Sequence, residues 1–310
     1  MPTEVRASVA VVGSYAKALV MTADRIPGPG ETLIGRDYRE TFGGKGSDMA
    51  VQAARLGADV SYLGVVGDDA HGEEFRALMA DEGVDLGGLR VTDDRPTGVG
   101  FIVKDTAGAN VIVVDPGANA RFTTDDVDRV APSLLAADVV LAQLETPLAT
   151  ALRALALARG GGVATILNPA PAEDLRDADL SCVDVLTPNE HEAKTVLGLG
   201  PDDATPPEQL ARGLLSLGPA AVVITLGEAG SLVATAETAT AVPPAAVDVV
   251  DSNGAGDSFN AALAVALGEG RDLPEAARFA NTAAGLCCEH WETVPSYRDR
   301  EAVEAALARA

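Results

Sequence analysis

The chain has 310 residues, with 46 acidic and 23 basic side chains and a formal net charge of −23. That balance argues against nucleic acid and anionic membrane surfaces as partners, since both need clustered lysine and arginine. Hydrophobic residues make up 47%, enough for the core of one large α/β domain. No apolar run reaches the roughly eighteen residues of a membrane-spanning helix.

In chain order, short β-branched runs alternate with longer Ala- and Leu-rich runs. Strands are predicted at 7–13, 59–67, 138–145, 162–168, 183–189 and 220–227. Helices are predicted at 46–57, 69–82, 123–136, 147–159, 189–197, 207–217, 254–268, 274–288 and 299–309. Such alternation implies a mostly parallel sheet covered on both faces. Residues 14–42 lack a helix, and 97–115 read as two strands joined by a Gly-containing loop. Neither segment fits a βα unit, and together they suggest a small separate sheet over the carboxyl ends of the parallel strands, where ligands bind in such folds. The odd count of three cysteines, Cys182, Cys287 and Cys288, argues against a disulfide framework and for a reducing, cytoplasmic setting.

Four stretches carry chemistry. In "DSNGAGDSFN" (251–260) glycines precede a carboxylate at a helix start. Glycine lets backbone amides converge on one point, and the first amides of a helix lack internal partners and attract negative charge. Asp257 in that first turn would act as a base beside the anion hole, a pairing suited to phosphoryl transfer to a hydroxyl. The plainer alternative is a capped helix with an ordinary first-turn aspartate. "FGGKGSDMA" (42–50) is a second Gly-rich loop before a helix, without the P-loop spacing; a tight turn is its plainer reading. "TPNEHEA" (187–193) sets Asn189 and Glu192 three residues apart at a helix start, where a carboxylate can hold Mg²⁺ through water. "ITLGEAGSL" (224–232) reads as a buried strand ending in a Gly turn. His71, His191 and His290 are isolated in sequence and read as structural.

With these pieces in this order, the chain resembles the ribokinase family, the PfkB-type carbohydrate kinases, from end to end. "PGPGET", "FGGKGS", "ARLGA", "VGDDAHG", "NPAPA", "TPNEHEA", "ITLGEAG" and "DSNGAGDSFNAAL" all resemble family segments, and "GGKG" with "NPAP" points to the ribokinase branch. The resemblance implies a Rossmann-like three-layer sandwich spanning 1–310, with a β-sheet lid from 14–42 and 97–115. It implies transfer of the ATP γ-phosphoryl group to a sugar hydroxyl with Mg²⁺, and a homodimer packed lid on lid. Asp257 would be the base, with Gly254, Ala255 and Gly256 forming the anion hole. Gly43, Gly44, Lys45, Asp48 and Glu145 would meet the sugar. Asn189 and Glu192 would lie near Mg²⁺ and the phosphates. Thr225, Gly227 and Asn281 would meet the nucleotide, and Asp251 would sit at a K⁺ site.

Departures from the family pattern cluster around the sugar. Ala16 and Ala18 stand where the family carries Asn and Asp, Asp48 stands for a usual Asn, and Tyr15 and Lys17 are new. Three changed polar groups should change the substrate, so a sugar other than ribose is expected. Lys17 meets an anionic group of that sugar, pairs with Asp48, or lies in solvent. "HWETVPS" (290–296) replaces a small-residue stretch at the K⁺ site, which leaves K⁺ dependence open. A nucleoside kinase of the same superfamily and a non-catalytic sugar- or nucleotide-binding regulator are the alternatives. "GGKG" and "NPAP" argue against the first, and an intact Asp257 with its glycines against the second.

Overall fold

The computed structural model describes residues 6–106 and 109–309. The two ends of the 1–310 span, and residues 107 and 108 of the loop between the strands predicted in 97–115, lie outside the described residues. The elements are β1 (Ser8–Val12), β2 (Ala16–Thr22), β3 (Arg36–Gly43), α1 (Lys45–Arg55), β4 (Asp59–Gly67), α2 (Ala70–Asp81), β5 (Asp85–Thr92), β6 (Gly98–Lys104) and β7 (Asn110–Asp115). There follow α3 (Thr124–Arg129), α4 (Ala131–Leu135), β8 (Val139–Gln143), α5 (Leu148–Gly160), β9 (Ala164–Asn168), β10 (Val185–Leu186), α6 (Glu190–Val196) and α7 (Pro207–Leu215). The chain closes with β11 (Ala221–Thr225), β12 (Ser231–Thr235), β13 (Ala239–Val242), α8 (Ala255–Gly268), α9 (Leu273–Cys287) and α10 (Arg300–Leu307).

Nine strands form one sheet in the order β13-β12-β11-β10-β9-β8-β1-β4-β5, parallel throughout except at β11–β12 and β12–β13. Because side chains alternate across a strand, each central strand feeds two cores. Val9 and Val11 of β1 pack with Phe259 and Phe279 on one face; Ala10 and Val12 pack with Leu134 and Leu155 on the other. Helices α1, α2, α8, α9 and α10 cover the first face and α3–α7 the second. Each large side chain so buried contributes about 1.5–3 kcal/mol relative to exposure.

The two segments that broke the sequence rhythm form a second sheet, β3-β2-β6-β7, with β2 and β6 parallel and the outer pairs antiparallel. Residues 23–35, which hold "IPGPG", join β2 to β3 without regular structure.

Several boundaries differ from expectation. The helix predicted at 123–136 is two helices broken at Val130, because Pro132 in the first turn of α4 has no amide to continue α3. The strand predicted at 183–189 keeps two ladder residues and one isolated bridge, Asn189 to Thr225. Strands β5, β12 and β13 were not anticipated. The first carries two glycines, and β12 (SLVAT) and β13 (ATAV) are too short to show a strong apolar period. Among the described residues no helix is long and apolar enough to cross a membrane, and all three cysteines are free thiols.

Candidate active site

Two cavities meet at the start of α8. One, of about 570 Å³, is lined by Thr225, Gly227, Ala255, Gly256 and Asn281 on the side of β11 and α9. The other, of about 300 Å³, lies between the small sheet and the main domain and includes Ala16, Ala18, Lys45, Asp48, Glu145 and Asp257 in its wall. The turn 254–257 therefore divides them. Gly254 and Asp257 face the smaller cavity, and Ala255 and Gly256 face the larger.

The turn's shape follows from Gly254. It caps α8 in the left-handed region at φ 78°, ψ −6°, which glycine adopts without a steric penalty. The amides of Gly256 and Asp257 then leave the first turn without intrahelical partners. Ala255 is less free, since its amide donates to the Ser252 carbonyl at 3.3 Å.

Asp257 is 7% exposed, and its buried Oδ1 has no hydrogen-bond partner. Lys45 Nζ lies 3.9 Å from that oxygen. Burial pushes the Asp257 carboxyl up to about 6; Lys45 opposes the shift, and Glu145 and Glu192 add to it. In return Asp257 pushes the Lys45 ammonium up to about 12. The pair sets a buried carboxyl beside a fixed cation.

The GGKG loop places Lys45 through close backbone packing. A Cβ on Gly44 would lie 2.8 Å from Tyr15 Cα, and one on Gly46 would lie 2.4 Å from Ser14 N. The loop thus presses against the chain leaving β1. Glu145, just past β8, fixes this junction: its Oε2 accepts from Ser14 Oγ at 2.6 Å and from the Lys45 amide at 2.8 Å. Gln143 Nε2 donates to Ser14 Oγ at 3.0 Å, and Gln143 Oε1 accepts the Glu145 amide at 2.6 Å. The sequence reading missed Ser14 and Gln143. Their only signal was polarity at the ends of two apolar strands.

Asp48 lies in α1 with a buried, unpartnered Oδ1. Burial raises its carboxyl well above the usual range, with Asp257 and Glu145 adding to the shift. Asn189 and Glu192 form a reciprocal capping box: Asn189 Oδ1 accepts the Glu192 amide, and Glu192 Oε2 accepts the Asn189 amide, both at 2.8 Å. The second carboxylate oxygen of Glu192 is outside that box, so the residue fits Mg²⁺ held through water; burial raises its carboxyl as well. Asn281 lines the larger cavity, but its Nδ2 also ties α9 to β12 and β13, donating to Ser231 Oγ and the Val242 and Pro243 carbonyls.

Lys17 needs correction. Ala16, Ala18 and Val20 of β2 line the smaller cavity, and strand alternation turns Lys17 to the opposite face. Its Nζ donates to Glu74 Oε2 at 2.6 Å, lies 3.5 Å from Glu40, and sits 5.5 Å from the centre of the Phe42 ring. It is neither a sugar contact nor a partner of Asp48, and at 6% exposure it is not in solvent. His71 is not isolated in space either: Glu40, His71 and Glu74 bring ligand atoms within 4.8 Å of one another. The Lys17 ammonium already bonds into that group, which speaks against a metal there.

The pfkB family carbohydrate kinase model matches residues 6–300. The chain is 38% identical to a ribokinase of Bacillus subtilis over 279 residues, 90% of this chain and 92% of that one. Among solved structures, a ribokinase of Thermotoga maritima superposes with a TM-score of 0.88 at 31% identity, over 97% of this chain and 99% of that one. A ribokinase of Arabidopsis thaliana complexed with ribose and ATP superposes with a TM-score of 0.85 at 31% identity, with the same coverage of each chain. These matches define a phosphotransferase with an alcohol group as acceptor, and the chain belongs to the pfkB family of carbohydrate kinases. Within that family it is similar to ribokinases and, at 33% identity over 81% of this chain, to a deoxyribokinase of Salmonella typhi.

Proposed function

We propose that the protein transfers the γ-phosphoryl group of ATP to a hydroxyl of a pentose-sized sugar. The observation that carries this reading is the turn 254–257, which separates a larger cavity from a smaller one with a buried base on the smaller side. ATP occupies the larger cavity and the sugar the smaller. Asp257 takes the proton of the attacking hydroxyl. The amides at the start of α8 and the Lys45 ammonium stabilise charge on the transferred group. Glu192 would hold Mg²⁺ through water, and the ion would supply charge neutralisation to the phosphates. Ribokinase relatives favour this reading over a nucleoside kinase or a non-catalytic regulator.

The sugar is proposed to differ from ribose at the edge that meets β2. The side chains of Ala16 and Ala18 offer that edge no hydrogen bond, and Ile102, Ile112 and Val114 extend an apolar strip beside Arg39, Thr41, Lys104 and Asn110 of the same cavity. A deoxy carbon fits such a wall better than a hydroxyl, which would lose its water without a replacement partner. Turnover should therefore be measured across pentoses and deoxypentoses. We expect a deoxypentose to exceed ribose in kcat/KM, and Ala16→Asn with Ala18→Asp to shift the ratio toward ribose by about tenfold, the scale of one net hydrogen bond. Ribose as the best acceptor of the unaltered protein would overturn the apolar-edge reading and leave the kinase reading standing.

We also propose a homodimer through the small sheet. Its outer face exposes Met21, Phe101, Val111 and Val113, and β7 is an open edge, a combination that invites pairing with a second copy. Sedimentation velocity is expected to give a dimer, and Phe101→Glu with Val113→Glu a monomer. A monomeric unaltered protein at micromolar concentration would refute this arrangement.

A further inference from the structure

The resemblance places a monovalent cation beside Asp251, and the groups gathered there do not fit one. Such an ion is held by oxygen ligands, whereas Asp251 is surrounded by hydrogen donors. Its Oδ1 accepts the Asn253 amide at 3.0 Å. Its Oδ2 accepts Asn253 Nδ2 at 3.3 Å and the Glu292 amide at 3.4 Å. Lys104 Nζ stands 3.9 Å from the same Oδ2, with the side chains 20% and 9% exposed.

Three neighbouring carbonyls already accept donors, although the buried Thr293 Oγ1 has no hydrogen-bond partner. The Thr293 carbonyl accepts the Ser296 amide and hydroxyl at 2.9 and 2.7 Å, and the Val294 carbonyl accepts Arg55 Nη1 at 2.6 Å. The Cys288 carbonyl accepts the amides of Val250 and Asp251 at 2.8 and 3.1 Å. Glu292 does not serve as a replacement ligand for Asp251's side. At φ 72° its backbone is in the left-handed region, and its carboxylate turns to the small sheet, 3.1 Å from Arg39 Nε and 3.4 Å from Thr41 Oγ1.

We infer that Lys104 supplies the positive charge beside Asp251 from within the chain, so that the turn leading to Gly254 is organised without a bound monovalent ion. An alkylammonium is a monovalent cation that brings its own donors, and Trp291 adds a ring 5.9 Å from Lys104 Nζ. The connection to the chemistry is short. Lys104 holds Asp251, Asp251 holds the amide of Asn253, and the next residue is Gly254. Lys104 is thus a positioning residue. It sits at the end of β6, so the contact also ties the small sheet to the phosphoryl-transfer turn. The activity part of this inference rests on the kinase reading; the binding part does not.

The experiment compares KCl with choline chloride at equal ionic strength on the full chain. Thermal unfolding and Mg-ATP affinity of the unaltered protein are expected to be the same in both salts, and sugar-dependent kcat to differ by less than about twofold. Lys104→Met is expected to lower kcat about tenfold, and Lys104→Arg to restore most of the loss. A rise in Tm that saturates with K⁺ but not with choline would overturn the inference, as would K⁺-dependent Mg-ATP affinity or an unaltered kcat in Lys104→Met. If no sugar is turned over in either salt, the kinase reading fails, while the unfolding and ATP-binding results still decide the cation question.

Discussion

Replacing Asp257 with asparagine is expected to lower sugar-dependent ADP release by about a thousandfold, within the range that a positioned general base contributes. The substitution keeps the side chain's size and removes its ability to take a proton. Affinity for Mg-ATP should change little, because Asp257 faces the smaller cavity and the nucleotide is proposed to bind in the larger one. The pH profile gives a second readout. Burial raises the Asp257 carboxyl to about 6, and the proposed base would work only when deprotonated. The kcat/KM of the unaltered protein should therefore fall as pH drops through about 6 and level off above it, and the Lys45 ammonium stays protonated throughout. Asp257→Asn should lose that acid limb along with the rate. A variant that keeps both rate and limb would remove Asp257 from the chemistry.

The second large effect is expected at Gly254. Alanine there would have to hold φ 78°, and its Cβ would lie 2.8 Å from Tyr297 Oη and 3.0 Å from Thr293 Cγ2. The turn must move, and the amides that follow move with it. Loss of an oxyanion-type donor costs about a hundred- to a thousandfold in kcat, and that is the range expected for Gly254→Ala. A lower Tm should accompany it, because a β-carbon at positive φ costs about 1–2 kcal/mol. Gly256 is the control. A Cβ there meets no heavy atom within 4 Å, so Gly256→Ala should leave Tm unchanged. Any turnover that it loses then reports a substrate phosphate approaching the turn, not a protein clash. Normal kcat in Gly254→Ala would contradict the anion-hole role.

Much of this site was legible in the sequence because its parts are local. The Gly254–Asp257 turn, the GGKG loop and the Asn189–Glu192 cap each fall within a few consecutive residues whose backbone needs are written in glycine and capping chemistry. The small sheet was legible from its two interruptions of strand–helix alternation. What escaped depends on register or on distant pairing. Lys17 lies one residue from two cavity-lining alanines, and a shift of one residue reverses a strand's faces, so its direction could not be read before β2 was placed at Ala16–Thr22. Ser14 and Glu145 are 131 residues apart. They meet only because β1 and β8 pair in parallel, and no local pattern announces that. Lys104 of β6 likewise meets Asp251 of the segment before α8, far away in sequence.

The most direct measurement is formation of a sugar phosphate from Mg-ATP, followed by phosphorus NMR, with the unaltered protein and Asp257→Asn run side by side on the pentose and deoxypentose set. A phosphate monoester that appears with the unaltered protein and is absent with the variant is the predicted result. Equal product from both proteins would contradict the central role of Asp257. ATP binding without any sugar phosphate across the set would contradict phosphoryl transfer to a pentose-sized sugar.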